Sequence, residues 1–310
     1  MPNDDLPGVL SFLERFPDED TCWHHLRDAR WPDGFECPMC GEDEDWIFLD
    51  NRKRWHCYEC GHQPSITSQT ILENTNLDLQ TWFLAAYLVF TTKKGFSSYE
   101  LARKLEVHQE TAWYLQQRLA LIAGPYARRL FGIVEADESY IGGKRDTETK
   151  GRSTAKAPVF GAVEDKDDSA GDLVLKHVPN AQAETIDPHV EEHIAKDKAT
   201  VRTDGLNTYR YLGERTGVDH ELVRVSQQDE EAHEIFPWIH TVWGNLKRVL
   251  SGVHTKASRA QLQDYLDLFS YRFNHRAQLA EGLEKALGAL VQAGRVTREQ
   301  LKGGAAAKLY

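Results

Sequence analysis

Two sets of residues in this sequence have types and spacings suited to metal chemistry. Cys37-Pro38-Met39-Cys40 and Cys57-Tyr58-Glu59-Cys60 are two C-x-x-C pairs separated by sixteen residues, within the spacing of a four-thiolate tetrahedral site. Gly41 and Gly61 each follow the second cysteine of a pair, where the tight turn of a knuckle needs a residue tolerant of positive φ. Four thiolates leave zinc no open position, so Zn2+ held by Cys37, Cys40, Cys57 and Cys60 would be structural. The fifth cysteine, Cys22, stands beside His24 and His25 and reads as a small buried hydrophobe next to solvent-facing histidines.

The second set is acidic. Val134-Glu135-Ala136-Asp137-Glu138 is an apolar strand interrupted by carboxylates and closed by Gly142-Gly143, and Val201-Arg202-Thr203-Asp204-Gly205 repeats the theme. Charge in a core strand costs several kcal/mol unless compensated, and a hard divalent cation, Mg2+ or Mn2+, compensates paired carboxylates. The alternative is two unconnected aspartates at strand-end turns. A third donor is expected from the helix that starts near Trp238, where His240, Trp243 or Gly244, and Lys247 form one stripe. Asn245 lies five residues past His240, roughly 140° around a regular helix. His240 is the better-placed ligand and Asn245 the alternative. Lys247, on the same stripe, would meet a phosphate, with Arg248 flanking it.

Something must hold these residues in place, and the periodicities say what. Residues 1–30 carry short helical patterns such as Val9-Leu10-Phe12-Leu13-Phe16, and the zinc ribbon is assigned to 31–75. From Leu77 the period is helical, with Trp82, Phe83, Ala86, Tyr87 and Phe90 on one face. Ser97-Ser98-Tyr99-Glu100 is a capping-box signature opening a helix, and a break at 106–109 precedes a second helix carrying Ala112, Trp113, Leu115, Leu119 and Ile122. Two short helices with so brief a turn make 76–128 a helix-turn-helix-like segment.

Past Gly132 the pattern turns to strands: Ile133 to Ile141, Val159 to Glu164 and Leu173 to Val178. A helix with Ile186, Val190 and Ile194 follows. Next come a strand from Thr200 to Thr203, a short helix near Tyr209, a strand from Leu222 to Val225, and helices from Trp238 through Leu250 and Ala260 through Phe273. That order is the order of a ribonuclease H-like domain, placed at 129–280, in which strands one and four are neighbours and Asp137 faces Asp204. Residues 281–310 are left as a C-terminal helix and tail, fraying at Gly303-Gly304-Ala305-Ala306-Ala307. The expected fold class is therefore multidomain α+β: zinc ribbon, helix-turn-helix-like segment, and an α/β catalytic domain with a mixed sheet.

At 310 residues and 41% hydrophobic the chain can bury the cores that several modules require. Its net charge of −11 runs against bulk attraction to nucleic acid, so phosphate contact must come from local density. Basic residues do cluster, in Lys144, Arg145, Lys150, Arg152 and Lys156, and again in Lys247, Arg248, Lys256, Arg259, Arg272 and Arg276. No stretch approaches 18 consecutive apolar residues, and the N-terminus has neither the basic start nor the apolar run of a signal peptide. A cytoplasmic protein without membrane association is expected, and in a reducing compartment paired cysteines point to metal and not to disulfides.

The sequence resembles the insertion-sequence transposases that combine an N-terminal zinc ribbon with an ISXO-like DDE-type catalytic domain, the insertion sequence 1595 superfamily. The similarity runs from Arg30-Trp31-Pro32-Asp33-Gly34-Phe35 through Lys94-Gly95-Phe96-Ser97, Leu101-Ala102-Arg103 and Thr111-Ala112-Trp113. It continues through Val134 to Glu138, Tyr140-Ile141-Gly142-Gly143 and Thr203-Asp204-Gly205. It closes with Pro237-Trp238-Ile239-His240, Asn245-Leu246-Lys247-Arg248, Gly252, His254 and Tyr271 to Arg276. The resemblance implies an active site in which Asp137 and Asp204 match the two family aspartates. The third position is usually Glu or Asn, seven residues ahead of a lysine; counting back from Lys247 gives His240, a departure from the common pattern. It further implies two-metal-ion cleavage and strand transfer at the ends of an insertion sequence. The partners would be double-stranded DNA, as terminal inverted repeats and target, with a homodimer or larger assembly holding both ends. Lys144, Arg145, Arg152, Lys156, Lys247 and Arg248 are the expected DNA contacts, and the ribbon and helix-turn-helix the readers of the repeats. The rivals are a non-catalytic zinc-ribbon regulator, an inactive copy, and a nuclease or resolvase of the same fold.

Overall fold

The computed structural model describes residues 6–124, 128–142, 156–223, 232–253 and 258–303. The chain divides into two compact units, one taking residues up to 125 together with those from 275 onward, the other residues 126–274. Among the described residues, no helix is long and apolar enough to cross a membrane.

The first unit begins with helices α1 (Val9–Arg15) and α2 (Glu19–Arg30) and a two-stranded antiparallel ribbon, β1 (Trp46–Leu49) and β2 (Arg54–Cys57). Asp18 caps α2 by accepting from the Thr21 amide at 2.8 Å. The ribbon is too small for an aliphatic core, so aromatic rings fill it. Trp55 stacks on Trp23 of α2 (5.5 Å, 11°) and on Phe35 (5.3 Å, 4°), and Trp31 meets it edge-on. Helix α3 (Leu79–Thr91) buries Trp82, Phe83, Ala86, Tyr87 and Phe90, the face its period specifies. Helix α4 (Ser98–Leu105) is capped by Ser97, whose hydroxyl accepts from the Glu100 amide at 3.2 Å. It stops at Glu106, held at φ 54°, and α5 (Gln109–Ala123) starts three residues later. The C-terminal helices α11 (Leu279–Gln292) and α12 (Arg298–Gly303) return to this unit, α11 packing on α2, α3 and α5.

The second unit is a five-stranded sheet between helices. Its strands are β3 (Leu130–Ile141), β4 (Ala157–Asp165), β5 (Ala170–His177), β6 (Ile194–Asp204) and β7 (Asp219–Val223), in the order β5-β4-β3-β6-β7. The first three form an antiparallel meander, while β6 runs parallel to β3 and β7 parallel to β6. Helices α6 (Ala183–His193) and α7 (Leu212–Thr216) cover one face through Ile186, Val190 and Leu212 against Val134, Ala136, Phe160 and Val201. Helices α8 (Ala232–Ile235), α9 (Pro237–Gly252) and α10 (Leu262–Asn274) cover the other through Ile239, Val242, Leu246 and Leu266 against Val159, Val163 and Leu175. This is the mixed-sheet ribonuclease H-like arrangement expected from the element order, with strand one next to strand four. The fifth strand, expected to reach Val225, extends to Val223; residues 224 and 225 lie outside the described residues.

Candidate functional site

Strand alternation divides the acids of β3. Glu135, Asp137 and Ser139 point toward α9, whereas Glu138 points the other way and accepts a hydrogen bond from the buried Tyr209 hydroxyl at 2.7 Å. Strand β6 pairs with β3 through Val134↔Val201 and Glu135↔Arg202. Asp137 and Asp204 each lie two residues beyond that last pair, so they sit on one face at one level of two parallel neighbours. Asp204 also accepts from the Leu206 amide at 3.1 Å, which turns the chain away at the strand end.

Asp137 is tied to α9. The Trp243 indole Nε1 donates to its Oδ2 at 3.0 Å. Desolvation pushes the Asp137 carboxyl up to about 6. The Asp204 charge acts in the same direction, against the Trp243 and Glu138 N–H groups and the Lys247 ammonium. Two hard oxygen donors on one face of neighbouring strands, with ionisation of Asp137 opposed by burial and by the Asp204 charge, are a donor set that a divalent cation would complete.

Glu135 has a different use. Fully buried, it accepts from the backbone amides of Trp238 at 3.1 Å and Ile239 at 2.7 Å, the second and third residues of α9. The helix's own N-cap, Phe236, has no side chain for that task. Burial raises the Glu135 carboxyl to about 7, with the Asp165 charge adding and the Ile239 and Trp238 amides opposing. Asp165 of β4 takes a second anchor, the Trp238 indole, at 2.9 Å. The lack of a side chain at Gly161 matters equally: a Cβ there would lie 2.6 Å from the Trp243 ring. None of these three roles was read from the sequence. The available signals were Glu135 two residues before Asp137, hence on its face, and Pro237 opening a helix.

Of the expected site residues, His240 lies on α9 one turn before Trp243, with an exposed side chain. Lys247, one turn after Trp243, is also exposed and within electrostatic reach of both Asp137 and Lys156. Arg248 donates to the Gly244 carbonyl and, at 2.7 Å, to Asn245 Oδ1, so the alternative ligand is engaged by its own helix. Asp137, Asp204 and His240 are not drawn into a set within 4.8 Å; among the described residues only the ribbon cysteines and one other group reach that closeness. Lys144, Arg145, Lys150, Arg152, Lys256 and His254 lie outside the described residues. Arg272, counted in the second basic cluster, is corrected: it is a buried residue of α10, where its guanidinium cannot serve a surface patch.

The ribbon cysteines converge. Cys37 and Cys60 Sγ are 3.6 Å apart, as are Cys40 and Cys57 Sγ, close to the roughly 3.8 Å that a tetrahedron with 2.3 Å Zn–S bonds requires. The Gly41 and Gly61 amides close the knuckles onto the Cys37 and Cys57 carbonyls, at φ 77° and 69°. Burial pushes the Cys37 thiol up, but the Met39 and Cys40 amides and neighbouring thiols outweigh it and bring it to about 7. Cys22 is fully buried, as expected, with His24 exposed and His25 partly buried against Phe16 and Phe83.

One unit holds a four-cysteine ribbon, and the other a ribonuclease H-like sheet with Asp137 inside β3 and Asp204 at the end of the neighbouring β6 on the same face, the two parts by which such a chain is classed. Residues 129–274 match the ISXO2-like transposase domain and residues 17–63 the transposase zinc-ribbon domain. Both are domains of the insertion sequence 1595 transposases, which the chain therefore resembles in two of its parts. It is also similar to an uncharacterized protein in transposable element ISH50 of Halobacterium salinarum, 26% identical over 280 residues, covering 84% of this chain and 92% of that relative.

Proposed function

We propose that this protein cuts DNA at the ends of an insertion sequence and joins the freed 3′-hydroxyl to target DNA. The observation that carries the reading is the placement of Asp137 and Asp204 at one level of two parallel strands, under the α9 stripe that bears Trp243 and Lys247. A binding regulator has no use for carboxylates that cost stability where they stand.

Asp137 and Asp204, with His240 as third donor, would hold Mg2+ or Mn2+. Such a cation supplies Lewis acidity for in-line displacement at phosphorus and for ionising the attacking hydroxyl. Trp243 fixes the orientation of Asp137, and Glu135 fixes the start of the helix from which Trp243 and Lys247 project. Lys247 offsets charge developing on the phosphate, and Arg248 and Lys156 extend the cationic surface along the DNA backbone. Lys144, Arg145 and Arg152, outside the described residues, would supply further phosphate contacts. The ribbon, with one zinc on its four cysteines, and the α4–α5 pair would read the terminal repeats. Two ends must be held at once, so the working form is a dimer or larger, acting in the cytoplasm.

The test is cleavage and joining of an oligonucleotide carrying the element's terminal repeat, with Mg2+ and with Mn2+. Asp137→Asn and Asp204→Asn are expected to reduce both steps by at least about a thousandfold, the scale of a lost electrostatic stabiliser. Terminal-repeat binding should change little. Strand transfer retained in either variant would remove that aspartate from the site. Cleavage without joining by the parent protein would favour the nuclease reading.

A further inference from the structure

The sheet face opposite α9 carries the second group of metal-ligating side chains. His189 and His193 are one helical turn apart on α6, and their rings lie parallel, 7° apart in plane with centroids at 6.3 Å. Glu192 adds a carboxylate, and one ligand atom from each of the three lies within 4.8 Å of the other two. The Phe160 ring of β4 stacks on His189 and walls the cluster off from the sheet.

The unusual feature is what the imidazoles lack. The His193 side chain is 1% exposed, yet its Nε2 makes no hydrogen bond among the described residues and only approaches the Glu192 carboxylate at 3.5 Å, while the buried His189 Nδ1 makes none either. A buried ring nitrogen normally recovers its lost hydration through a hydrogen bond, and two side by side without one point to a missing common partner. Burial holds both histidines below their ordinary range, His193 at about 4. Lys176 pushes the same way for both and Arg129 for His193, against Glu192. Neutral imidazole is the form that binds metal.

We propose that His189, Glu192 and His193 form a second transition-metal site that takes Zn2+, with the remaining position open to water. Two imidazoles and one carboxylate are donors for a borderline cation and not for Mg2+. The last turn of α6 adds the negative end of the helix dipole, while Lys176 and Arg129 work against any cation, so affinity must rest on direct coordination. The site is separate from Asp137 and Asp204, which face α9. It would fasten α6 at the point where the chain enters β6, the strand that ends in Asp204.

The test is zinc content of the full-length protein after equilibration with Zn2+ and removal of free ion, in the parent and in His189→Ala and Glu192→Gln. Neither variant touches the most deeply buried member. Cobalt substitution is run in parallel, because Co2+ on the ribbon thiolates gives a sulfur charge-transfer band that nitrogen and oxygen donors do not. Each variant is expected to retain about one zinc fewer than the parent with the charge-transfer band undiminished. Equal zinc in parent and variants overturns the site. So does zinc lost in step with the charge-transfer band, since that loss would belong to the ribbon.

Discussion

At Asp137 burial and the Asp204 charge oppose ionisation while Trp243 favours it, so the residue is held where a cation would gain most from it. The third donor is the residue on which the reading turns. Trp243 aims at Asp137, which puts its helical stripe, His240 and Lys247 included, on the carboxylate side, whereas Asn245 is bonded to Arg248. His240→Ala is expected to cut strand transfer about a hundredfold or more, His240→Glu to restore part of it through an oxygen ligand, and Asn245→Ala to leave most activity. Normal joining by His240→Ala with loss in Asn245→Ala would reverse the assignment. A second residue-scale test concerns Asp264 on α10, buried and raised to about 7 by desolvation, with Asp267 adding. A carboxyl raised on folding contributes stability below its unfolded pKa and loses it as pH climbs through the folded value. Asp264→Asn should therefore match the parent near pH 4 and exceed it by on the order of 2–4 kcal/mol by pH 8. Urea midpoints across that range check it, and a gap independent of pH would mean that Asp264 keeps its proton or a partner throughout.

At the scale of elements, α9 is the part that must not slip, and two features of the sheet hold it. Glu135 caps its Trp238 and Ile239 amides, and Gly161 leaves room for the Trp243 ring. Glu135→Ala strands two amides in a buried setting and should cost about 2–4 kcal/mol, with Glu135→Gln recovering much of it because an acceptor remains. Gly161→Ala drives a methyl to 2.6 Å from an indole and should cost about 1–3 kcal/mol. In both variants thermal midpoint and joining rate should fall together while repeat binding persists; full activity at a lowered midpoint would detach α9 from catalysis. These contacts were illegible in the sequence for a definite reason. Period-2 alternation showed that Glu135 and Asp137 share a face, and period 3.6 showed the His240 stripe. Which residue of one element meets which of another depends on how α9 lies across β3 and β4, and no local pattern encodes that. The strand order and the β3–β6 neighbourhood were legible because a meander, a crossover helix and a parallel strand leave few ways to close a sheet.

Across the whole molecule, the chain leaves its first unit for the second and returns, so α11, read from sequence only as a C-terminal helix, packs with α2, α3 and α5. Its apolar face, Leu283, Ala286, Leu287 and Leu290, was visible, but the partner, more than a hundred residues earlier, was not. The two units have separate cores, and only the first contains the cysteine cluster. The apparent free energy of zinc on four-ligand finger peptides, roughly 10–16 kcal/mol at neutral pH, matches or exceeds the roughly 5–15 kcal/mol stability of an ordinary domain. The ribbon's packing rests on Trp23, Trp31, Phe35 and Trp55, with few aliphatic residues to hold it if the knuckles open. Cys57→Ser, or removal of zinc by a strong chelator, should therefore abolish the ribbon's contribution and lower the unfolding temperature of the first unit. The transition of the second unit should stay in place. Calorimetry resolves the two, and tryptophan emission from the stacked Trp23–Trp55 pair identifies the one that moves. A single transition that shifts as a whole would mean that the two units unfold as one, and an unshifted profile would mean that the cysteines hold no zinc that matters to folding.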